Sequence, residues 1–329
     1  MENGTPLPST SIQRLCLLHA YEALGKTLCD LADELPQLAV VVADYGRRLF
    51  LDRLRKDHPE DYVQVGIAEQ NQVSVAAALA LEGFCAFVPS YAAFITGRAF
   101  DQVRICMGSM KAPVILIGLS AGYDSGTLGA THMATEDAAL MRTVPGVLVL
   151  SPADNAELVV MLRQLAAHPQ PAYIRITGAS EQSCLHVKGL PQKAMRPETL
   201  RSGHDVTIFA TGKICKEALH AADILQTEAI SASLTEVPCL NPFDAEAARK
   251  ATAKARLIVS VEEHSVRGGL GSALREALST APSAPPLLTL GTPLAPPSAD
   301  TRPALLHHVA LDAQGIAASI EAFLGSPVA

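Results

Sequence analysis

Tryptophan is absent from this chain, and aromatic residues of all kinds make up only 4% of its 329 positions. Ala, Val and Leu must therefore fill its cores. A basic surplus is also missing: 26 Lys and Arg stand against 33 Asp and Glu, for a net charge of −7. That balance argues against nucleic acid as a partner, because neutralising phosphates requires a basic face. Long apolar runs are missing too. The longest candidates, such as residues 113–119, have the length of a strand rather than a membrane span. The polar first eleven residues lack the basic-then-apolar order of a secretion signal. The seven cysteines form no C-x-x-C pair and no zinc-like spacing with histidine, so no metal site is expected. Scattered through apolar segments and odd in number, they suggest reduced, buried thiols in a soluble cytoplasmic protein. Charged residues are scarce as well, at 18%. With a mean hydropathy of +0.22, this implies apolar surface buried against other chains.

What the chain does have is an alternation of short apolar runs and helical patterns. Residues 11–35 show helical spacing of Leu15, Leu18, Leu24, Leu28 and Leu31, and Pro36 ends it. Buried parallel strands are expected at 38–43, 62–65, 83–88, 114–118, 147–150 and 173–176. Residues 91–106 read as a helix or a loop and helix. Asp154, with Glu157 three residues on, opens a helix to about residue 167. Periodicity is lost over 179–203, and a second set of strands comes after it, near 206–210, 230–235, 257–261 and 287–290. A Pro-rich stretch over 282–303 reads as a surface loop, and 312–324 as a terminal helix. The expected architecture is α/β: two three-layer α/β/α domains with mainly parallel sheets. Their expected limits are a tail at 1–11, a first domain at 12–180, a linker at 181–203 and a second domain at 204–329.

One stretch stands out, Tyr62-Val-Gln-Val-Gly-Ile-Ala-Glu-Gln-Asn71, where an apolar strand ends in glycine and Glu69 opens an Ala-rich helix. Ligands in α/β folds sit at such strand ends, facing the free N–H groups of the next helix. Glu69 has two readings: an acid that complements the helix dipole, or a desolvated carboxylate suited to proton transfer near neutrality. His132, at the end of a glycine-rich loop, is a surface histidine or a ligand-facing one. Tyr91 and Phe94 are core packing or a flat wall for a heteroaromatic ring. Gly268-Gly-Leu-Gly271 reads as a closely packed helix start rather than a nucleotide site.

Taken together, these residues resemble a known family. Val65-Gly-Ile-Ala-Glu-Gln-Asn71 is similar to the motif around the thiamine-activating glutamate of transketolase-type enzymes. Further similarities occur in order: Ala43-Asp44, the Tyr91–Arg104 segment, Gly129-Ala-Thr-His132, Pro145-Gly-Val, Ser151-Pro-Ala-Asp-Asn-Ala-Glu157, Ala210-Thr-Gly212 and Glu262-Glu-His264. The family's Gly-Asp-Gly motif, which holds Mg²⁺ or Ca²⁺ and the cofactor diphosphate, occurs nowhere in the chain. The resemblance thus implies the C-terminal subunit of a split transketolase, a pyrimidine-binding domain plus a transketolase C-terminal domain. Such a subunit shares thiamine diphosphate with an N-terminal subunit that carries the metal, within a heterotetramer.

The resemblance also implies roles. Glu69 would activate the cofactor, Tyr91 and Phe94 would wall its pyrimidine ring, Arg98 would lie near it, and His132 would contact the substrate oxygen. Ser125 and Leu128 would line the substrate side. Two departures bear on that side: Leu128 stands where sugar-phosphate transketolases have an acid, and Gly178 where many relatives have a phosphate-binding Arg. A substrate other than the usual ketose phosphate is the resulting expectation. Two other readings remain, the β subunit of a 2-oxo acid dehydrogenase and a catalytically silent partner subunit.

Overall fold

Runs of branched apolar residues can cover both faces of a sheet at once, and the chain uses them as central strands. In a computed structural model that describes residues 9–186, 195–253, 255–279 and 284–325, the strands form a seven-stranded and a five-stranded sheet. The first contains β1 (Leu38–Val42), β2 (Tyr62–Gln64), β3 (Cys85–Tyr91), β4 (Ile115–Leu119), β5 (Leu148–Leu150) and β6 (Ala172–Arg175). The second begins with β7 (Glu198–Arg201), β8 (Val206–Ala210) and β9 (Ala232–Glu236). Next, β10 (Cys239–Asn241) returns to the first sheet, and β11 (Leu257–Ser265) and β12 (Leu287–Thr292) complete the second. The orders are β10-β5-β6-β4-β3-β1-β2 and β12-β11-β8-β9-β7. Neighbours are parallel except β10 with β5 and β7 with β9.

Period-two alternation sorts β1 between the layers. Val40 and Val42 face a core with Leu24 and Leu28 of the Ala20–Glu34 helix. Val41 faces the opposite core, with Val73, Ala76 and Ala77 of the Glu69–Leu81 helix. A third core lies in the second sheet's layers, around Ile208, Leu234, Val259 and Ile316.

The structure corrects several expectations. The first helical segment is two helices, Ser9–Leu17 and Ala20–Glu34, so the expected tail is helical from Ser9; residues 1–8 lie outside the described residues. His19 breaks the segment by capping the second helix, its Nδ1 accepting from the Tyr21 N–H at 3.2 Å. The expected linker holds β7, an edge strand, while 187–194 lie outside the described residues. The strand order breaks the simple division near residue 203, because β10 completes the first sheet from within the second set. In the expected Pro-rich loop, a helix begins at Arg302. Cys16 and Cys184 form a disulfide, against the expected set of seven reduced thiols. They lie far apart in sequence, so no local spacing betrays the pair. The other five are free, and all but Cys106 are buried. Among the described residues no helix is long and apolar enough to cross a membrane.

Buried polar contacts lock the two units together. The Arg175 Nε donates to both Asp137 carboxylate oxygens at 3.0 and 2.8 Å, and its Nη2 donates to the Glu263 carbonyl at 2.6 Å. Within the second unit Arg302 clasps the Glu263 carboxylate through Nε and Nη2, at 2.6–3.0 Å, and that carboxylate reaches across to accept from the Tyr123 N–H at 2.7 Å.

Candidate active site

The chain leaves β2 through Gly66, whose φ of +77° suits glycine, and turns into the Glu69–Leu81 helix at its first residue. There the free N–H groups favour an acid. Glu69 is only 2% exposed. Gln72, one turn on, pins the helix across the sheet, its Nε2 donating to the carbonyls of Val41 (2.8 Å) and Pro89 (3.1 Å). Both strands are thus tied to the helix that carries Glu69.

The Glu69 Oε2 accepts from Arg98 Nη1 at 2.7 Å. Arg98 ends a π-helical turn, Ala93–Arg98, in a stretch with a second such turn over Val103–Ser109. Each extra residue per turn rotates the side chains after it, and such bulges gather at functional sites. Apolar spacing cannot show them, which is why 91–106 reads ambiguously as sequence. The Arg98 guanidinium also lies 4.6 Å from the Phe94 ring centroid.

Phe94 opens onto a ring cluster. Tyr91, at the end of β3, meets Phe94, His132 and Tyr45 edge-on, with centroids 5.6, 5.3 and 4.9 Å apart. Phe94 and His132 are 5.2 Å apart. The loop that delivers His132 turns through a short 3₁₀ segment, Gly126–Leu128, and through Gly129 at φ +78°. The His132 Nδ1 lies 2.9 Å from Thr131 Oγ1. Glu69, Arg98, Phe94, Tyr91 and His132, from four separate segments, thus form one contiguous series.

Beyond Tyr91 lies a cavity of about 260 Å³ that also takes in Ser125 and Leu128. His132 is not part of its lining; it meets the cavity only through Tyr91. The same cavity holds His19, Tyr21, Arg48, Ser120 and Asp124, none of which the sequence singles out. Arg48 Nη1 donates to the Tyr91 hydroxyl at 3.1 Å, and the Tyr21 and Ser120 hydroxyls pair at 2.6 Å. Asp124 Oδ1 accepts from the Ala179 N–H at 2.9 Å. Burial, with Glu263 nearby, pushes the Asp124 carboxyl up to about 6. Burial holds the His19 imidazole below its usual range, with the Lys213 charge acting in the same direction. A larger cavity of about 450 Å³ lies around Val266, Pro293 and His308, with no carboxylate in its lining. The smaller one adjoins the ring cluster, through Tyr91.

The Glu262-Glu-His264 and Gly268-Gly-Leu-Gly271 motifs are structural. Glu262 accepts from the N–H groups of Leu270 (2.7 Å) and Gly271 (2.8 Å), capping the Leu270–Leu278 helix. A Cβ on Gly269 would stand 1.9 Å from Glu262 Oε2, so the glycine is there for close packing. The His264 Nε2 accepts from the Ala139 N–H at 3.2 Å.

Known proteins share this arrangement of domains. The "Transketolase, pyrimidine binding domain" family matches residues 18–180, and the "Transketolase, C-terminal domain" family residues 196–316. An apulose-4-phosphate transketolase subunit of Phocaeicola vulgatus is 32% identical over 300 residues, 91% of this chain and 96% of the relative. A 6-deoxy-6-sulfo-D-fructose transketolase subunit of a Clostridium species is 34% identical over 76% of this chain and 78% of its own. A 1-deoxy-D-xylulose-5-phosphate synthase of a Synechococcus species is 35% identical over 98% of this chain, which spans only 49% of that longer protein. Among solved structures, a split-gene transketolase described as an inactive β4 tetramer superimposes with a TM-score of 0.79. It has 33% identity over 92% of this chain and 97% of its own. Campylobacter jejuni transketolase shares the fold, with a TM-score of 0.76 at 18% identity over 92% of this chain and 46% of its own. The chain belongs to the transketolase family, as a pyrimidine-binding domain followed by a transketolase C-terminal domain, the arrangement of a split-transketolase C-terminal subunit.

Proposed function

We propose that this chain is one subunit of a two-component, thiamine-diphosphate-dependent transferase, completed by an N-terminal subunit that holds the cofactor diphosphate and its Mg²⁺ or Ca²⁺. The observation that carries this is the buried Glu69 carboxylate at a helix start, linked through Arg98 to the Phe94–Tyr91–His132 ring cluster. The donor set fits half of such a cofactor. A buried carboxylate suits a ring nitrogen, aromatic rings suit a pyrimidine, and the chain has no Gly-Asp-Gly loop for a diphosphate. When bound, thiamine diphosphate supplies the nucleophilic carbon that carries a ketol or acyl unit from a ketone donor to an aldehyde acceptor.

In this reading Glu69 is the catalytic acid that holds the ring-nitrogen proton, and Arg98 orients its carboxylate and adds a counter-charge. Tyr91 and Phe94 wall the ring and exclude water. His132, fixed by Thr131, holds or delivers a proton at the substrate oxygen. Ser125 and Leu128 belong to the substrate side. Leu128, 53% exposed, offers no grip on a polyol. A side chain on Gly178 would meet Arg302 at 3.2 Å, and that guanidinium is already committed to Glu263 and Glu181. Both features support a donor other than the usual ketose phosphate. The relatives' own names span phosphorylated and sulfonated sugars.

Exposed apolar residues support the two-component reading. Ile67, just before the Glu69–Leu81 helix, is 73% exposed, and Leu81 at its end is 50% exposed. With Met110 they leave apolar surface for other chains. We infer a heterotetramer, inactive without the N-terminal subunit. Co-expression with a Gly-Asp-Gly-bearing subunit tests this: turnover of a ketone donor and an aldehyde should need both chains. Turnover by this chain alone would overturn it, and efficient use of xylulose 5-phosphate as the best donor would sink the substrate proposal.

A further inference from the structure

Away from the ring cluster, four acidic residues converge on one histidine where the two sheets meet. Asp154 caps the Asn155–Ala167 helix, Glu157 lies in its first turn, and His186 is in the connector. Glu198 begins β7 and Glu236 ends β9. Glu157, His186 and Glu236 are each at most 3% exposed. One ligand atom from each lies within 4.8 Å of the other two.

The hydrogen bonds divide these residues into two groups. Asp154 is saturated: its Oδ2 accepts from the N–H groups of Leu185 and His186 and pairs with His186 Nδ1 at 2.9 Å. That contact fixes the ring with Nε2 turned to the other acids, 2.9 Å from Glu236 Oε2 and 3.9 Å from Glu198 Oε2. On that side no N–H or hydroxyl donor among the described residues reaches Glu157 Oε1, Glu236 Oε1 or Glu198 Oε2; the Glu157 and Glu236 carboxyls face each other, and the Glu198 side chain is 40% exposed. Buried acceptors left unpaired are costly. Like-charged carboxylates sharing a buried site are costly too, unless a proton or a cation lies between them.

We propose that His186, Glu157 and Glu236, with Glu198 as a fourth ligand, form a binding site for one first-row divalent cation of the Zn²⁺ or Mn²⁺ class. One imidazole nitrogen with carboxylate oxygens is a donor set those ions accept. A histidine whose other nitrogen is held by a carboxylate is the usual support of such a ligand, and Asp154 supplies it. The ligands come from the first sheet's layer, the connector and the second sheet, so the ion clamps the connector to both units. No local spacing marks this site in the sequence, because Glu236 lies 50 positions from His186 and Glu157 sits on the other side of it, in a separate helix.

The test uses the full chain, stripped with a chelator and dialysed against Zn²⁺, with bound metal measured by elemental analysis and stability by thermal unfolding. One equivalent should bind and raise the Tm by several degrees, and Co²⁺ should give visible absorption bands that Zn²⁺ abolishes. Glu236→Gln should weaken Zn²⁺ binding by more than about tenfold, since even losing an outer hydrogen-bond partner of a ligand costs about 10–100-fold. Should that variant fail to fold, Glu157→Gln and the Co²⁺ bands of the unaltered chain carry the test. A Tm indifferent to chelator and Zn²⁺, or a folded Glu236→Gln chain that binds Zn²⁺ as tightly as the parent, would overturn the proposal. Either result would leave a cluster held by a shared proton.

Discussion

Glu69→Gln separates the two things Glu69 could be, a helix-capping acid or a catalytic group. Removing the charge loses a favourable interaction with the helix start, worth about 0.3–1 kcal/mol. It also loses the ion pair to Arg98, but that side chain is 49% exposed and Glu69's only 3%. Water can therefore recover most of the arginine's solvation, which limits that term to at most about 1 kcal/mol. The glutamine keeps an oxygen that accepts from Arg98 and fills the same space, so no cavity forms. The expected net loss is about 1 kcal/mol, roughly 2–4 °C in Tm for a unit of this size. Proton-holding groups contribute about 10²–10⁴-fold to rate, so turnover by the assembled two-subunit enzyme should fall by about that factor. Thermal unfolding of the chain alone and steady-state turnover of the complex are the two readouts. A complex that retains more than about a tenth of its turnover would refute the catalytic reading. Destabilisation beyond about 3 kcal/mol, the scale of a fully buried pair, would refute the account of Arg98.

Among the described residues, Arg175→Met leaves the fully buried Asp137 with only the Tyr173 hydroxyl, at 2.6 Å, as a polar side-chain partner. Breaking a buried pair costs about 3–5 kcal/mol, measurable by urea unfolding, and adding Asp137→Asn should recover part of it. Asp124 has a folded-state pKa raised from 3.8 to about 6, so its contribution is fully present below the unfolded value and is lost as pH rises through the folded one. Asp124→Asn should flatten the decline of stability between about pH 4 and pH 6, by at most about 3 kcal/mol; an unchanged pH profile would contradict the shift. Alkylation of the denatured, unreduced chain should label five cysteines, with the Cys16–Cys184 pair appearing only after reduction.

The fold class and most strands were legible in the sequence because a buried parallel strand needs an unbroken apolar run, as in Leu38–Val42. Glu69, Tyr91, Phe94, Arg98 and His132 were legible because their local motifs resemble a family; composition alone left each of them with a bland alternative. Arg48, His19 and Asp124 were not legible. Each is polar in an ordinary local pattern, and only the parallel pairing of β1, β3 and β4 beside the Ala20–Glu34 helix brings them to one cavity. The π-turns escaped because one extra residue per turn changes hydrogen bonding without changing hydrophobic character. Sequence thus determined the layers and the chemical types available, since hydrophobic period and residue type are local properties. Tertiary structure decided the Arg98 partner of Glu69, the β10 exchange between sheets, the Cys16–Cys184 pair and the His186 cluster. Each of these joins residues far apart along the chain, and such contacts exist only once the layers have packed.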